Sequence, residues 1–236
     1  MIPLPKKAKI IKKEKNRSEI QIEALYPGYG TTIGNSLRRV LLSSIEGAAV
    51  TQMKIKGVPH EFSTIPGVLE DVINIMLNLK ELRFKMVGRE PQRVTLKVKG
   101  EKKVEGKDLD LPAQLELVNK NCHIATLTSK SAKLEMELLV EKGVGYLPRE
   151  EREKEKLEIG TIPLDAVFSP VKKVAMRIEN MRVGKRTDFD RLILDIETDG
   201  TISPQEAFKE AGKILIEQFS FLVKENEEKE ERKKTK

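Results

Sequence analysis

The apolar period changes twice along the chain, and that change limits the folds open to it. Residues 18–26 alternate Ile20 and Ile22 and then reach Leu25, which reads as a strand. The turn PGYGTTIG follows, then a helical pattern from about Thr32 to Ile45, ended by Gly47. There Ile33, Leu37, Val40 and Leu41 recur at i, i+4, i+7 and i+8 and make one face. Residues 48–57 alternate imperfectly as a strand, and Pro66-Gly67 marks a turn. Residues 68–80 (VLEDVINIMLNLK) read as the most apolar helix, with Glu70, Asp71, Asn74, Asn78 and Glu81 sharing one side. Strict two-residue alternation then takes over. Val94, Leu96 and Val98 alternate with polar residues, as do Leu134, Met136, Leu138 and Val140, the pattern of half-buried strands. Residues 149–158 (REEREKEKLE) have no apolar stripe and read as an exposed loop or frayed helix.

Strand and then helix return in the last third. Residues 171–183 and 190–198 read as a hairpin joined by GKRTD near Gly184. Ser203-Pro204-Gln205-Glu206 is a helix start: an N-cap serine, proline at the first helical position and a glutamate closing a capping box. The helix is predicted to run to about Val223, with Ala207, Phe208, Ala211, Ile214, Leu215, Gln218, Phe219 and Leu222 on one broad stripe. Residues 224–236 are predicted to be a charged, disordered tail.

Composition narrows the function classes. At 236 residues the chain is one large domain or two small ones, and 39% hydrophobic residues are enough for a core despite 34% charged. A single cysteine, Cys122, excludes a disulfide framework and a cysteine-built zinc site. Two histidines, His60 and His123, argue against histidine-dependent metal or triad chemistry. No apolar run approaches the roughly 18 residues of a membrane span, and the basic N-terminus has no hydrophobic stretch behind it. A cytoplasmic protein is expected. Abundant Lys and Glu without Trp would suit a heat-adapted source. Of the net charge of +7, +6 sits in residues 1–17, where Lys6, Lys7, Lys9, Lys12, Lys13, Lys15 and Arg17 face only Glu14. No aromatic residue interleaves with them, so the arm reads as a solvated tail rather than a nucleic-acid platform.

Three motifs invite a chemical reading. Gly28-x-Gly30-x-x-x-Gly34 lies between strand and helix, but a dinucleotide fingerprint needs its third glycine one residue earlier. The plainer reading is a tight turn opening a helix. Asp195, Glu197, Asp199, Gly200 and Glu206 fall close to an EF-hand spacing. The residues before them read as strand, however, and Glu206 is already the capping-box partner. Asp188, Asp190 and Asp195 could suggest a two-metal site, yet they lie within one hairpin, and Asp188 and Asp190 are assigned to its turn. Cys122 and His123 are adjacent and so point to opposite faces of a strand. A self-contained active site is not expected; a free-standing nucleotide- or metal-binding enzyme using the glycine turn or the acidic hairpin stays as the alternative.

What remains is packing surface. Leu42 points almost opposite the apolar face of the first helix, on the side of Asn35, Arg38 and Arg39, which is an interface pattern. The wide, aromatic stripe of the last helix could bury one side on its own sheet and another on a second chain.

Five blocks carry a resemblance: GYGTTIGNSLRRVLLSSIEGAAVT (28–51), HEFSTIPGVLEDVINIMLNLK (60–80), GVGYLP (143–148), FSPVKKVAMRIE (168–179) and RTDFDRLILDIETDGTISPQEAFKEAGKILIEQ (186–218). In this order, and over almost the whole chain, they resemble the N-terminal part of the bacterial DNA-directed RNA polymerase alpha subunits. The resemblance implies an α+β fold of two subdomains. A dimerisation subdomain, sheet plus two long helices, would take 1–47 and 171–223, and an inserted strand-rich subdomain 48–170. It implies a homodimeric, cytoplasmic scaffold that nucleates docking of the β and β′ subunits. The chain would then be a non-catalytic part of a nucleotidyltransferase and hold no cofactor, magnesium and zinc being expected on other subunits. DNA would be met only through the assembled complex, and no membrane. The family pattern places the β contact at Arg38, Arg39, Leu42, Glu61, Ser63, Gly67 and Glu70. It places the β′ contact at Lys80, Leu164, Asp165, Val171, Arg186 and Asp188. The dimer interface would use Ile33, Leu37, Leu41, Phe208, Ala211, Leu215, Phe219 and Leu222. The family's C-terminal DNA-binding domain is expected to be absent from a chain ending at Lys236.

Overall fold

The computed structural model describes residues 2–152, 158 and 160–234. In chain order the elements are β1 (Lys9–Lys13), β2 (Arg17–Leu25), α1 (Tyr29–Ser43), β3 (Glu46–Ile55), α2 (Val72–Lys80), β4 (Phe84–Met86), β5 (Gln92–Lys99), β6 (Lys102–Glu105), β7 (Leu115–Leu117) and β8 (His123–Leu127). They continue as β9 (Lys133–Val144), β10 (Tyr146–Leu147), α3 (Arg149–Arg152), β11 (Thr161–Pro163), β12 (Ala166–Val167), β13 (Val171–Val183), β14 (Arg186–Thr198) and α4 (Pro204–Lys234). The fold is α+β. The chain divides into two compact units, Met1–Ile45 with Pro170–Lys236, and Glu46–Ser169.

The first unit is an antiparallel sheet in the order β1-β2-β14-β13, carrying α1 and α4. Alternation decides its faces. Ile20 and Ile22 of β2 stand opposite Leu194 and Leu192 of β14, and Val174 of β13 opposite Ile196. These side chains join Leu37 and Leu41 of α1 and Ala207 and Ala211 of α4 in one core. Each fully buried leucine or isoleucine there contributes about 1.5–3 kcal/mol. The other face is polar and tied across strands by Arg177–Glu19 (3.3 Å) and Arg191–Glu179 (3.4 Å).

The α4 start matches its sequence signal. The Ser203 N–H donates to Glu206 Oε2 (3.1 Å) and the Glu206 N–H to Ser203 Oγ (3.2 Å), a reciprocal cap that contributes about 1 kcal/mol. Two boundaries differ from the pattern. Helix α1 begins at Tyr29 rather than Thr32, because Gly28 takes φ of 86° and turns the chain directly into it. Helix α4 continues through residues 224–234, where a disordered tail was expected. Residues 235 and 236 lie outside the described residues.

The second unit is a sheet in the order β5-β9-β3-β4-β7, with β11 on β3 and the small pairs β6-β8 and β10-β12 beside it. The two alternating runs read from the sequence pair with each other, Val94 opposite Leu138 and Leu96 opposite Met136. Their inner side chains pack with Phe84, Val140 and the Val72, Ile75 and Leu79 face of α2. Helix α2 starts at Val72, not at residue 68. Asp71 caps it, Oδ1 accepting the Asn74 N–H at 2.7 Å. Residues 68–71 instead lie beside β8, tied by a bridge from Val68 to Leu127 and bent at Leu69 and Glu70. Glu70 and Asp71 are therefore not on the helix. Of residues 149–158, the first four form α3, and 153–157 lie outside the described residues.

Candidate subunit-interaction surfaces

The motifs that invited chemistry are engaged inside the fold. Asp190 is not in the hairpin turn: it sits in β14 opposite Asn180 and Leu25, and it is buried. Its Oδ2 accepts the N–H groups of Gly28 and Gly30, both at 2.9 Å. A carboxylate thus meets the N-terminal end of α1, where free amide donors and the helix dipole favour negative charge. The glycine turn and the acidic hairpin are two halves of one structural contact. A Cβ at Gly30 would come within 2.9 Å of Asp190 Oδ2, and one at Gly34 within 2.9 Å of Leu192 Cδ1. The glycine spacing lets α1 lie close on the sheet.

The remaining acids are also held. Arg17 grips Asp195 bidentately, Nε to Oδ1 at 2.9 Å and Nη2 to Oδ2 at 2.6 Å, which holds the Asp195 carboxyl below its ordinary range. Asp199 Oδ1 accepts the Thr201 N–H (2.9 Å) and hydroxyl (2.6 Å). Arg186 pairs with Asp188 at 2.7 Å, and its guanidinium lies 5.4 and 5.2 Å from the Tyr26 and Phe189 ring centres. Among the described residues, no group of three or more His, Cys, Asp or Glu is placed to hold a metal ion.

On α1 the two faces separate as the spacing requires. Arg38 and Arg39 are exposed, and Leu42 keeps 36% of its surface open beside them. Leu37 and Leu41 are buried in the unit's own core, Leu41 completely, and Ile33 is partly buried. Of the residues assigned to a dimer interface, Leu37, Leu41 and Ala211 thus turn inward within one chain. Phe208 and Leu215 pack partly on that core.

Helix α4 outruns its sheet. Beyond Leu215, Ile216, Phe219, Phe221, Leu222 and Val223 are all exposed, Phe219 by 60%. At about 100° per residue, Ile216, Phe219, Phe221, Leu222 and Val223 spread over roughly 220° of the helix circumference. Ile216, Phe221 and Val223 were missed in the sequence because they fall off the single stripe.

In the second unit Glu61 accepts from Arg149 Nη1 at 3.4 Å, and Ser63 Oγ lies 3.2 Å from His60 Nδ1. Gly67 has φ of 78°, and a Cβ there would meet the Ala132 Cβ at 2.8 Å. Glu70 turns inward: Oε2 accepts the Thr126 N–H at 2.6 Å, and Oε1 lies 2.8 Å from His123 Nε2. Burial opposes its ionisation, but the bonds from His123 and Thr126 prevail and hold the carboxyl below its ordinary value. The outward side chains of this segment are Phe62, Leu69, Ile73 and Leu77, with Leu69 exposed by 71%. Ile73 and Leu77 are i,i+4 neighbours away from the buried Ile75 and Leu79, a signal that the apolar run of α2 contained and a one-face reading hid.

The β′ assignments also part. Lys80 Nζ and Asp165 Oδ2 meet at 2.7 Å, and Asp165 Oδ1 accepts the Arg149 N–H at 3.0 Å. The lysine, opposed by partial burial, holds the Asp165 carboxyl below its ordinary range. Leu164 is completely buried in the second unit and Val171 is buried in the core of the first, so neither side chain offers surface.

Comparison with known proteins gives these surfaces a context. Residues 53–169 match the family described as RNA polymerase Rpb3/RpoA insert domain. The chain is 51% identical over 203 residues to the DNA-directed RNA polymerase subunit alpha of Geobacter metallireducens, covering 86% of this chain and 59% of that one. It is 47% identical to the subunit of the same name from a Roseiflexus species, over 92% of this chain and 66% of the relative. With that of Alkaliphilus oremlandii it shares 47% over 90% of this chain and 67% of the relative. The chain therefore spans between three fifths and two thirds of the length of these relatives. Identity at this level, sustained across both units, leaves one conclusion: the chain belongs to the family of DNA-directed RNA polymerase alpha subunits.

Proposed function

We propose that the chain is the assembly scaffold of a bacterial RNA polymerase. Two copies pair through the first unit, and the pair docks the β and β′ subunits, which carry the catalytic centre and its metals. The observation that carries the pairing is the far half of α4, whose apolar side chains cover more of the helix than one neighbouring surface could bury. A second copy, related by a two-fold axis, would bring the same helix and cover it isologously.

Docking is assigned to surfaces with other properties. The polar side of α1 offers Arg38 and Arg39 around Leu42, an arrangement able to pair with partner carboxylates beside a small apolar anchor. The 62–77 segment offers Phe62, Leu69, Ile73 and Leu77. Both are assigned to β, and the Lys80–Asp165 and Arg186–Asp188 pairs to β′. The site of action is the cytoplasm, in keeping with the lack of any described helix long and apolar enough to cross a membrane.

Native mass spectrometry of the chain mixed with purified β and β′ tests this. The expected species holds two copies of the chain per pair of large subunits. A chain that captures neither, while remaining folded, would contradict the assignment.

A further inference from the structure

The outward apolar groups of the 62–77 segment stand on a stretch that, from residue 62 to Asp71, is neither helix nor sheet. Something must fix that backbone for Leu69 to face outward beside Ile73 and Leu77. Three ties to the β8 end do so: the Leu69 N–H donates to Thr126 O at 2.9 Å, the Thr128 N–H to Gly67 O at 2.8 Å, and Val68 bridges to Leu127. Glu70 adds side-chain bonds to the same strand. Its carboxylate accepts the Thr126 N–H (2.6 Å) and Thr126 Oγ1 (3.1 Å) and meets His123 Nε2 (2.8 Å). The chain bends at Leu69 and Glu70, with the Leu69 side chain outward and the Glu70 carboxylate turned to β8, so holding Glu70 fixes where Leu69 points.

We propose that Glu70, with His123 and Thr126, is a positioning residue for the surface on which a polymerase large subunit docks, and not itself a contact. This rests on the assembly role proposed above. Three donors converge on the carboxylate, two from Thr126 and one from His123. His123 Nδ1 is buried without a hydrogen-bond partner, so the ring carries its proton on Nε2 and donates it to Glu70. A glutamine at 70 could keep the Thr126 N–H bond, but its amide N–H would face the ring N–H. The ring could yield only by moving its proton to the buried Nδ1, where no acceptor waits.

The test combines amide hydrogen exchange on the dimer with capture of the isolated β subunit, for Glu70→Ala, Glu70→Gln and Glu70→Gln/His123→Leu. Glu70→Ala should speed exchange at Leu69, Thr126 and Thr128 about tenfold or more and weaken capture about tenfold. The double variant removes the opposing ring N–H and should recover most of both, whereas Glu70→Gln alone should not. If Glu70 touched the partner through its charge, the double variant would stay as weak as Glu70→Ala and exchange would not change. Either result overturns the inference. Faster exchange with wild-type capture would also overturn it, by showing that the segment's position does not matter to docking. A wild-type dimer that captures no β would overturn the assembly role and the docking role with it, while the exchange comparison separately reports whether Glu70 holds the segment.

Discussion

The far half of α4 and the 62–77 segment both leave large apolar side chains open, but they are built differently. On α4, Ile216, Phe219, Phe221 and Val223 stand exposed around the helix beyond the residues that pack on the unit's core. In the 62–77 segment, Phe62, Leu69, Ile73 and Leu77 lie in front of a finished core, backed by Val72, Ile75 and Leu79 and tied down through Glu70. In the proposed pairing, the first surface is half of a core that a second copy completes. The second is already backed by packed side chains and backbone ties. If the proposed roles hold, the first is an obligate contact and the second a docking contact, so copies should pair before a large subunit is captured.

Substitutions should separate the two. The largest effect is expected for Phe219→Glu, which would place a charge in the middle of the pairing surface. The dimer should weaken by at least about 4 kcal/mol, roughly a thousandfold, giving monomer or aggregate in sedimentation. An intact dimer would mean that this side of α4 faces solvent. Next comes Leu69→Ser with Leu77→Ser. Capture of β should fall by about 2–3 kcal/mol with dimerisation and melting temperature nearly unchanged, because neither side chain is in a core. A lowered melting temperature would show that the surface supports the fold as well.

Arg39→Ala should cost β capture about 2 kcal/mol, since a partner carboxylate would be left desolvated and unpaired, while the α1 core stays intact. If it dissolves the dimer, both faces of α1 serve pairing. The smallest effect belongs to Lys80–Asp165. The Asp165 carboxyl sits below its ordinary value, so its contribution is complete at pH above the ordinary aspartate range. It fades as pH falls through the depressed folded value. Lys80→Met should cost about 0.5–1 kcal/mol of stability at neutral pH, and the gap from wild type should close in acid. A gap independent of pH would assign the loss to packing of the lysine stem.

The stripes were legible in the sequence, but what covers each was not. Ile33, Leu37, Val40 and Leu41 were rightly read as one face of α1. That Leu37 and Leu41 are covered by the sheet and by α4 of the same chain depends on how closely α1 approaches the sheet, which Gly30 and Gly34 decide. The role of Asp190 was hidden by separation: its partners, Gly28 and Gly30, lie 162 and 160 residues away. Glu70 was misplaced for a local reason. The apolar run 68–80 has helical spacing throughout, and only the Asp71 side chain, bonded to Asn74, starts the helix at Val72. The capping box at Ser203 was legible because all its partners lie within four residues.

The proposed pairing makes the far half of α4 half of a core that a second copy completes. Light scattering on the size-exclusion peak, followed down to nanomolar concentration for the wild-type chain and for Phe219→Glu, tests it most directly. Twice the chain mass of 26.8 kDa is expected for the wild type throughout the micromolar range, with loss of that species in the variant. A folded wild-type monomer of 26.8 kDa at micromolar concentration would contradict it.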